Sequence, residues 1–143
     1  MPPIKLRARH RNGVCEVWDE LRRCYIVLTP EEWVRRHVVA MFVEQMQIPA
    51  AQIIVEYPVA LNTQRQRADV VVVDRNAVPL LMVECKSYDV KLSQSTLDQA
   101  VRYNSVLCAK YIVLTNGLTH RCYQQSDCAG VYTPIDSLPV PLL

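Results

Sequence analysis

Apolar residues in this chain fall into short unbroken runs and two longer stretches at helical spacing, separated by polar turns. Val14 to Trp18 and Arg23 to Leu28 read as two strands of a small leading hairpin turned through Asp19-Glu20. Thr29-Pro30-Glu31-Glu32 is a capping-box signature with proline at the first helical position, so a helix is expected from here. It should run to about Met46, bury Val34, Val38, Met41 and Phe42, and stop before Pro49. Gln52 to Val59 reads as a strand and Asn62-Thr63-Gln64 as the turn after it. Two β-branched runs follow, ADVVVVD and LLMVECK, connected through Arg75-Asn76-Ala77-Val78-Pro79. A second helix is expected from about Ser95 to Cys108, with an apolar stripe of Leu97, Ala100, Val101, Asn104, Leu107 and Cys108. Tyr111 to Leu114 is a strand ended by Asn116-Gly117, His120 to Gln124 its partner, and Val131-Tyr132 a short final strand. The pattern predicts an α/β fold, a sheet with helices covering it.

The central hairpin carries the candidate chemistry. If it is symmetric about Asn76 and Ala77, Asp69 lies opposite Glu84 and Arg67 opposite Lys86. Directly opposed residues share a sheet face and side chains alternate along each strand. One face then holds Arg67, Asp69, Val71, Val73, Leu80, Met82, Glu84 and Lys86, and the other Val70, Val72, Leu81, Val83 and Cys85, which is pure core. Two acids facing each other across a sheet repel, so something positive must sit with them. One reading is a divalent cation between Asp69 and Glu84, whose hard oxygens suit Mg2+. The other is a surface ion cluster in which Arg67 and Lys86 neutralise the pair.

Gln99 and Tyr103 are four residues apart and project together from the second helix. They lie roughly 100 to 140° from the centre of its apolar stripe, which makes them poor core candidates and leaves them free to flank a cleft. A surface tyrosine packed under a loop is the alternative. Glu32 has a structural task in the capping box, bonding back to the Thr29 amide, and a second reading as an acid reaching the cleft.

Composition bounds these readings. With 143 residues, half of them hydrophobic, the chain suffices for one core, so a single domain spanning 1-143 is expected. The formal net charge is only +2, but basic residues cluster at Lys5, Arg7, Arg9, His10 and Arg11, at Arg22-Arg23, at Arg35-Arg36-His37 and at Arg65 with Arg67. Such groups suit phosphate contacts or a solvated face. Six cysteines without a Cys-x-x-Cys pair read as reduced, mostly buried thiols of a cytoplasmic protein. No apolar segment has the length of a signal peptide core or a membrane span, and the three glycines form no nucleotide-binding loop.

Asp69, then Glu84-Cys85-Lys86, then Gln99-x-x-x-Tyr103 resembles the PD-(D/E)XK nuclease superfamily in its RecB-like branch. More narrowly, Thr29-Pro30-Glu31-Glu32-Trp33-Val34-Arg35, Arg67-Ala68-Asp69, Glu84-Cys85-Lys86, Gln99-Ala100-Val101-Arg102-Tyr103-Asn104 and Thr115-Asn116-Gly117 resemble the N-terminal nuclease domain of type I restriction enzyme R subunits. The resemblance runs from about residue 15 to 125; Ala68 stands where the superfamily has proline. It implies a restriction-endonuclease-like fold, a central mixed sheet flanked by helices, with residues 29-125 as the nuclease core and 1-28 as a hairpin extension. It implies a Mg2+-dependent DNA endonuclease, with Mn2+ as a substitute ion. Asp69, Glu84 and the Cys85 carbonyl would hold the metal, Lys86 would act on the attacking water or the transition state, and Gln99 and Tyr103 would line the site. Glu32 would be a further acidic partner, and Arg65 and Arg67 would contact DNA. R subunits also carry motor domains, which this sequence lacks. A homodimer or separate restriction and motor subunits are therefore the expected partners besides DNA. The alternative is a weakly active or inactive nuclease-fold module for DNA binding or assembly.

Overall fold

The computed structural model describes residues 3–61, 64–126 and 130–142. It has two antiparallel or mixed sheets and two helices. Strands β1 (Ala8–Arg11), β2 (Val14–Asp19) and β3 (Cys24–Val27) form a three-stranded antiparallel sheet. The expected leading hairpin is its β2-β3 half, and the basic run before it supplies a third strand. Helix α1 (Pro30–Glu44) follows, then β4 (Ile53–Leu61), β5 (Gln64–Val73), β6 (Pro79–Cys85), helix α2 (Gln94–Leu107), β7 (Tyr111–Thr115), β8 (His120–Gln125) and β9 (Tyr132–Ile135). The last six strands lie side by side in chain order as one mixed sheet, in which β6 and β7 run parallel and α2 makes the crossover. The expected turn residues Asn62 and Thr63, and Cys128, lie outside the described residues.

Each helix begins where the sequence supplies a cap. Thr29 stays extended and its hydroxyl accepts from the Glu32 amide at 3.1 Å, with Pro30 as the first helical residue. The Glu32 carboxylate does not return to the Thr29 amide as a full capping box would; it turns to Arg22 and Arg35. Ser93 and Thr96 cap α2 reciprocally, and Cys108 closes it in the left-handed region.

The large sheet is buried on both faces. Val34, Val38 and Phe42 of α1 pack with Val70, Val72, Leu81, Val83 and Cys85. Ala100, Tyr103 and Leu107 of α2 pack with Ala68, Val71, Val73 and Met82 on the other side. The expected single apolar face is thus corrected: both faces are core, as unbroken β-branched runs allow. Tyr103 is also corrected. It is 7% exposed, because α2 lies on the sheet along Thr96, Ala100, Tyr103 and Leu107, a stripe rotated from the expected one. Asn104 is buried and ties the helix end to β7, donating to the Ala109 carbonyl at 2.9 Å and accepting from its amide at 2.8 Å. Among the described cysteines only Cys85 is buried; Cys15 and Cys122 are half-buried and Cys24 and Cys108 exposed. No described helix is long and apolar enough to cross a membrane.

Candidate active site

The register expected for the central hairpin is the one observed: Val70 pairs with Val83, Val71 with Met82 and Val72 with Leu81. It shifts only at the turn end, where Val73 meets Pro79 instead of Leu80. Asp74 causes the shift. Its carboxylate accepts from the Asn76 and Val78 amides at 2.8 and 3.0 Å, closing a tight turn with Ala77 at φ +62°.

At the other end the ladder stops one residue before the acids, and Asp69 is the reason. The Cys85 amide donates to the Asp69 side chain at 2.7 Å, where an ordinary ladder would give it to backbone. On the opposite edge, the pairing of β4 with β5 joins Val55 to Val70 and Tyr57 to Ala68 but skips Glu56 and Asp69, with Glu56 at φ +52°. Alternation also slips here, since Ala68 packs with α2, Val70 with α1 and Val71 with α2 again. The expected shared face of Arg67, Asp69 and Val71 is therefore not kept. Asp69 and Glu84 meet because the strands part around Asp69, and Arg67 is not drawn to Lys86. It lies exposed, 3.4 Å from Glu56.

Both acids are buried, Asp69 at 9% exposure and Glu84 at 4%. Asp69 has a cation of its own: the Arg35 guanidinium donates to it at 2.7 Å from α1. Glu84 has none so close, and its Oε1 is buried without a hydrogen-bond partner. Burial first, and the Asp69 charge second, raise the Glu84 carboxyl to about 9, against the opposing pull of Lys86. Lys86 follows on the same strand end, half-buried, its amide donating to the Thr115 carbonyl of β7 at 2.8 Å. Burial and Asp69 also raise Glu31, on the first turn of α1, and Lys86 again opposes. The helix acid that lies in the field of Asp69 and Lys86 is thus Glu31. Glu32, the residue expected there, is bound by Arg22 and Arg35.

A buried ion-pair chain stands behind Asp69. Asp19 pairs with Arg22, Arg22 with Glu32, Glu32 with Arg35 and Arg35 with Asp69. Arg36 adds contacts of 3.4 Å to Asp19 and 3.7 Å to Glu32. The sequence held a signal for Arg35, since it lies three and four residues after the two capping-box acids on one helix face. The adjoining Arg36 and His37 mask that spacing, since together the three read as one basic cluster.

Gln99 and Tyr103 do act together. The Gln99 amide donates to the Tyr103 hydroxyl at 3.0 Å, and that hydroxyl donates to Gln66 of β5 at 3.2 Å. Gln66 had no sequence signal. The pair thus pins α2 to β5 just before Asp69. Arg65 is exposed on the same strand. The Asn116-Gly117 turn closes β7 beside the site: Asn116 accepts from the Thr119 amide at 2.7 Å and donates to the Val90 carbonyl at 2.8 Å. Gly117, at φ +88°, is required there, as a Cβ would lie 3.3 Å from Val34.

Does this donor set fit a divalent metal? The carboxylates are hard ligands, and the orphaned Glu84 oxygen together with the raised carboxyl marks a site short of positive charge. Among the described residues no three His, Cys, Asp or Glu side chains converge as a ready-made cage. Two carboxylates with a main-chain carbonyl and water remain a workable shell for Mg2+, which keeps much of its hydration. A cavity of about 550 Å³ lies elsewhere, between the leading strand and α1; it touches Glu32 and Arg35 but neither Asp69, Glu84 nor Lys86.

No curated protein matches this sequence. Residues 30–139 match a family model described as type I restriction enzyme R protein N terminus (HSDR_N), with all the strands of the large sheet and both helices inside the match. Its capped first helix, parted β5-β6 strands with Asp69, Glu84 and Lys86, and Gln99/Tyr103 helix all fall within those bounds, and the chain belongs to that family.

Proposed function

We propose that this chain is a Mg2+-dependent DNA endonuclease-like protein that hydrolyses phosphodiester bonds. The observation that carries the reading is the buried Asp69/Glu84 pair, one oxygen of Glu84 unpartnered, with Lys86 on the same strand end. Asp69, Glu84 and the Cys85 carbonyl would hold Mg2+, or Mn2+ in its place. When bound, the ion supplies a Lewis acid for the phosphate and lowers the pKa of attacking water. The chain's own residues do the rest. The Lys86 ammonium faces the charge that develops on the phosphate or orients the water. Glu31, in the field of Asp69 and Lys86, is a further acid near the pair. Tyr103 and Gln99 hold α2 against β5 so that Asp69 keeps its place. Arg65 and Arg67, exposed on the strand leading to Asp69, contact the DNA backbone. Family membership supports DNA as substrate and further restriction subunits as partners. A homodimer is the other arrangement by which one site per chain would cut both strands.

Incubation of the purified protein with plasmid and linear DNA, in Mg2+, Mn2+ or EDTA, tests the proposal. Metal-dependent cleavage lost in Asp69→Ala and in Lys86→Ala is the expected result. Absence of any metal-dependent cleavage, or its survival in both variants, overturns it.

Arg35 favours a second reading. A guanidinium already bonded to Asp69 supplies the charge that a metal would otherwise bring, as expected of a nuclease-fold module kept for DNA binding or assembly. That reading predicts salt-sensitive DNA binding in EDTA with no cleavage at any metal concentration.

A further inference from the structure

The leading sheet lies before the family match, which starts at residue 30, and its two faces differ sharply. Cross-strand partners share a face, so the register sorts the residues. One face carries Val17, fully buried, and Asp19, 3% exposed, which sits in the ion-pair chain behind Asp69. The other carries Arg9 and Arg11 of β1, opposite Glu16 and Val14, then Trp18 paired with Tyr25. Arg7 extends the row, since its carbonyl accepts from the Trp18 amide at 2.8 Å. This face looks outward: Val14 and Val27 on it are 43% and 47% exposed.

Arg7 and Arg9 are ordered against aromatic rings. Arg9 lies over the Tyr25 ring at 3.7 Å, and Arg7 over Trp18 and Tyr25 at 5.2 and 5.7 Å, while the two rings meet edge-on at 5.3 Å. A guanidinium stacked on a ring keeps its N–H fork free at the edge, which suits phosphate oxygens and lowers the entropy lost on binding. The face holds one acid, Glu16, paired to Arg9 at 3.0 Å; Arg7 and Arg11 have no acidic partner among the described residues. Alternate residues of a strand stand about 6.8 Å apart, so the three guanidiniums form a row about 14 Å long. The opposite face adjoins the ion-pair chain behind Asp69. Arg22, between β2 and β3, pairs with Glu32, the neighbour of Glu31.

We propose that this outward face is a DNA-backbone-binding surface, in which Arg7, Arg9 and Arg11 contact successive phosphates. The choice of DNA rests on the nuclease reading above. Charge complementarity carries the site itself: a single-sign row of preorganised forks with one paired acid fits a polyanion. An apolar or basic partner would leave it unmatched.

The test measures affinity for a fluorescent duplex oligonucleotide in EDTA, so that cleavage plays no part, over a range of salt. Wild type is compared with Arg7→Gln/Arg9→Gln/Arg11→Gln, with Arg11→Gln alone, and with Lys110→Gln as a charge control at the far end of β7. Each phosphate contact removed should lower the slope of log K against log salt by about 0.9, so the triple variant should lose about 2.7 and Arg11→Gln about 0.9. Lys110→Gln should change neither. An unchanged slope in the arginine variants, or an equal fall in the control, overturns the proposal. Arg11 makes no ion pair among the described residues, so its single variant keeps the test valid should the triple variant misfold. The two proposals fail separately. Wild-type cleavage with an unchanged arginine slope removes the surface and leaves the nuclease, whereas a fallen slope without any cleavage keeps the surface and removes the nuclease.

Discussion

Glu84 is buried beside Asp69 with its carboxyl raised from 4.5 to about 9 by burial first and the Asp69 charge second. The native state then holds a proton that the unfolded chain releases above pH 4.5, so between these values folding takes up a proton and stability falls as pH rises. The metal-free protein should therefore lose stability across that window, by up to about 1.4 kcal/mol per pH unit. Glu84→Gln, which cannot ionise, should flatten the profile; thermal melts of both proteins in EDTA from pH 5 to 9 measure it, and parallel profiles would refute it. Arg35 is the opposite case. It bridges Glu32 and Asp69, so Arg35→Ala strands two buried acids and should cost about 3 to 5 kcal/mol in urea denaturation. Arg35→Lys, a point charge without the fork, should recover only part of that. Neither role is legible along the sequence: the acids could be paired by counting, but the cation that reaches Asp69 comes from 34 residues upstream.

At the scale of elements, local chemistry and packing settle different things. The capping residues Thr29 and Ser93 start their helices within a residue of where the pattern put them, because caps act on neighbouring amides. The rotation of α2 is another matter. Ala100, Tyr103 and Leu107 face the sheet because a tyrosine can bury its ring and still reach Gln66 with its hydroxyl, and a stripe count treats it as polar or apolar but not both. Asn104 belongs to the same interface: it bonds both backbone groups of Ala109 and accompanies Tyr132 at 2.7 Å. Asn104→Ala should leave these buried groups unsatisfied and cost about 2 to 4 kcal/mol, while Tyr132→Phe should cost about 1. Equal losses in the two variants, read from denaturant midpoints, would contradict that division.

At the scale of the whole molecule, the leading sheet and the nuclease-like part are joined by charge. Arg22 on one side pairs with Glu32 on the other and Asp19 with Arg36 at 3.4 Å, and Arg36 also donates to the Trp18 carbonyl at 2.9 Å. A chain beginning at Thr29 should therefore lose about 3 kcal/mol, since it gives up the buried Arg22–Glu32 and Asp19–Arg36 pairs together with the burial of Val17. Stability of the truncated chain equal to that of the full one, in the same urea titration, would sever this link. The sequence by itself determined both helices, the strands other than β1 and the central register, because periodicity, turn chemistry and caps are local. Tertiary structure alone decided that both sheet faces are core, that the strands part at Asp69, that Glu32 is bound by Arg22 and Arg35, and that Arg35 holds Asp69. Each of these depends on which distant side chain supplies the charge or the apolar surface a residue meets, and no spacing along one chain encodes that.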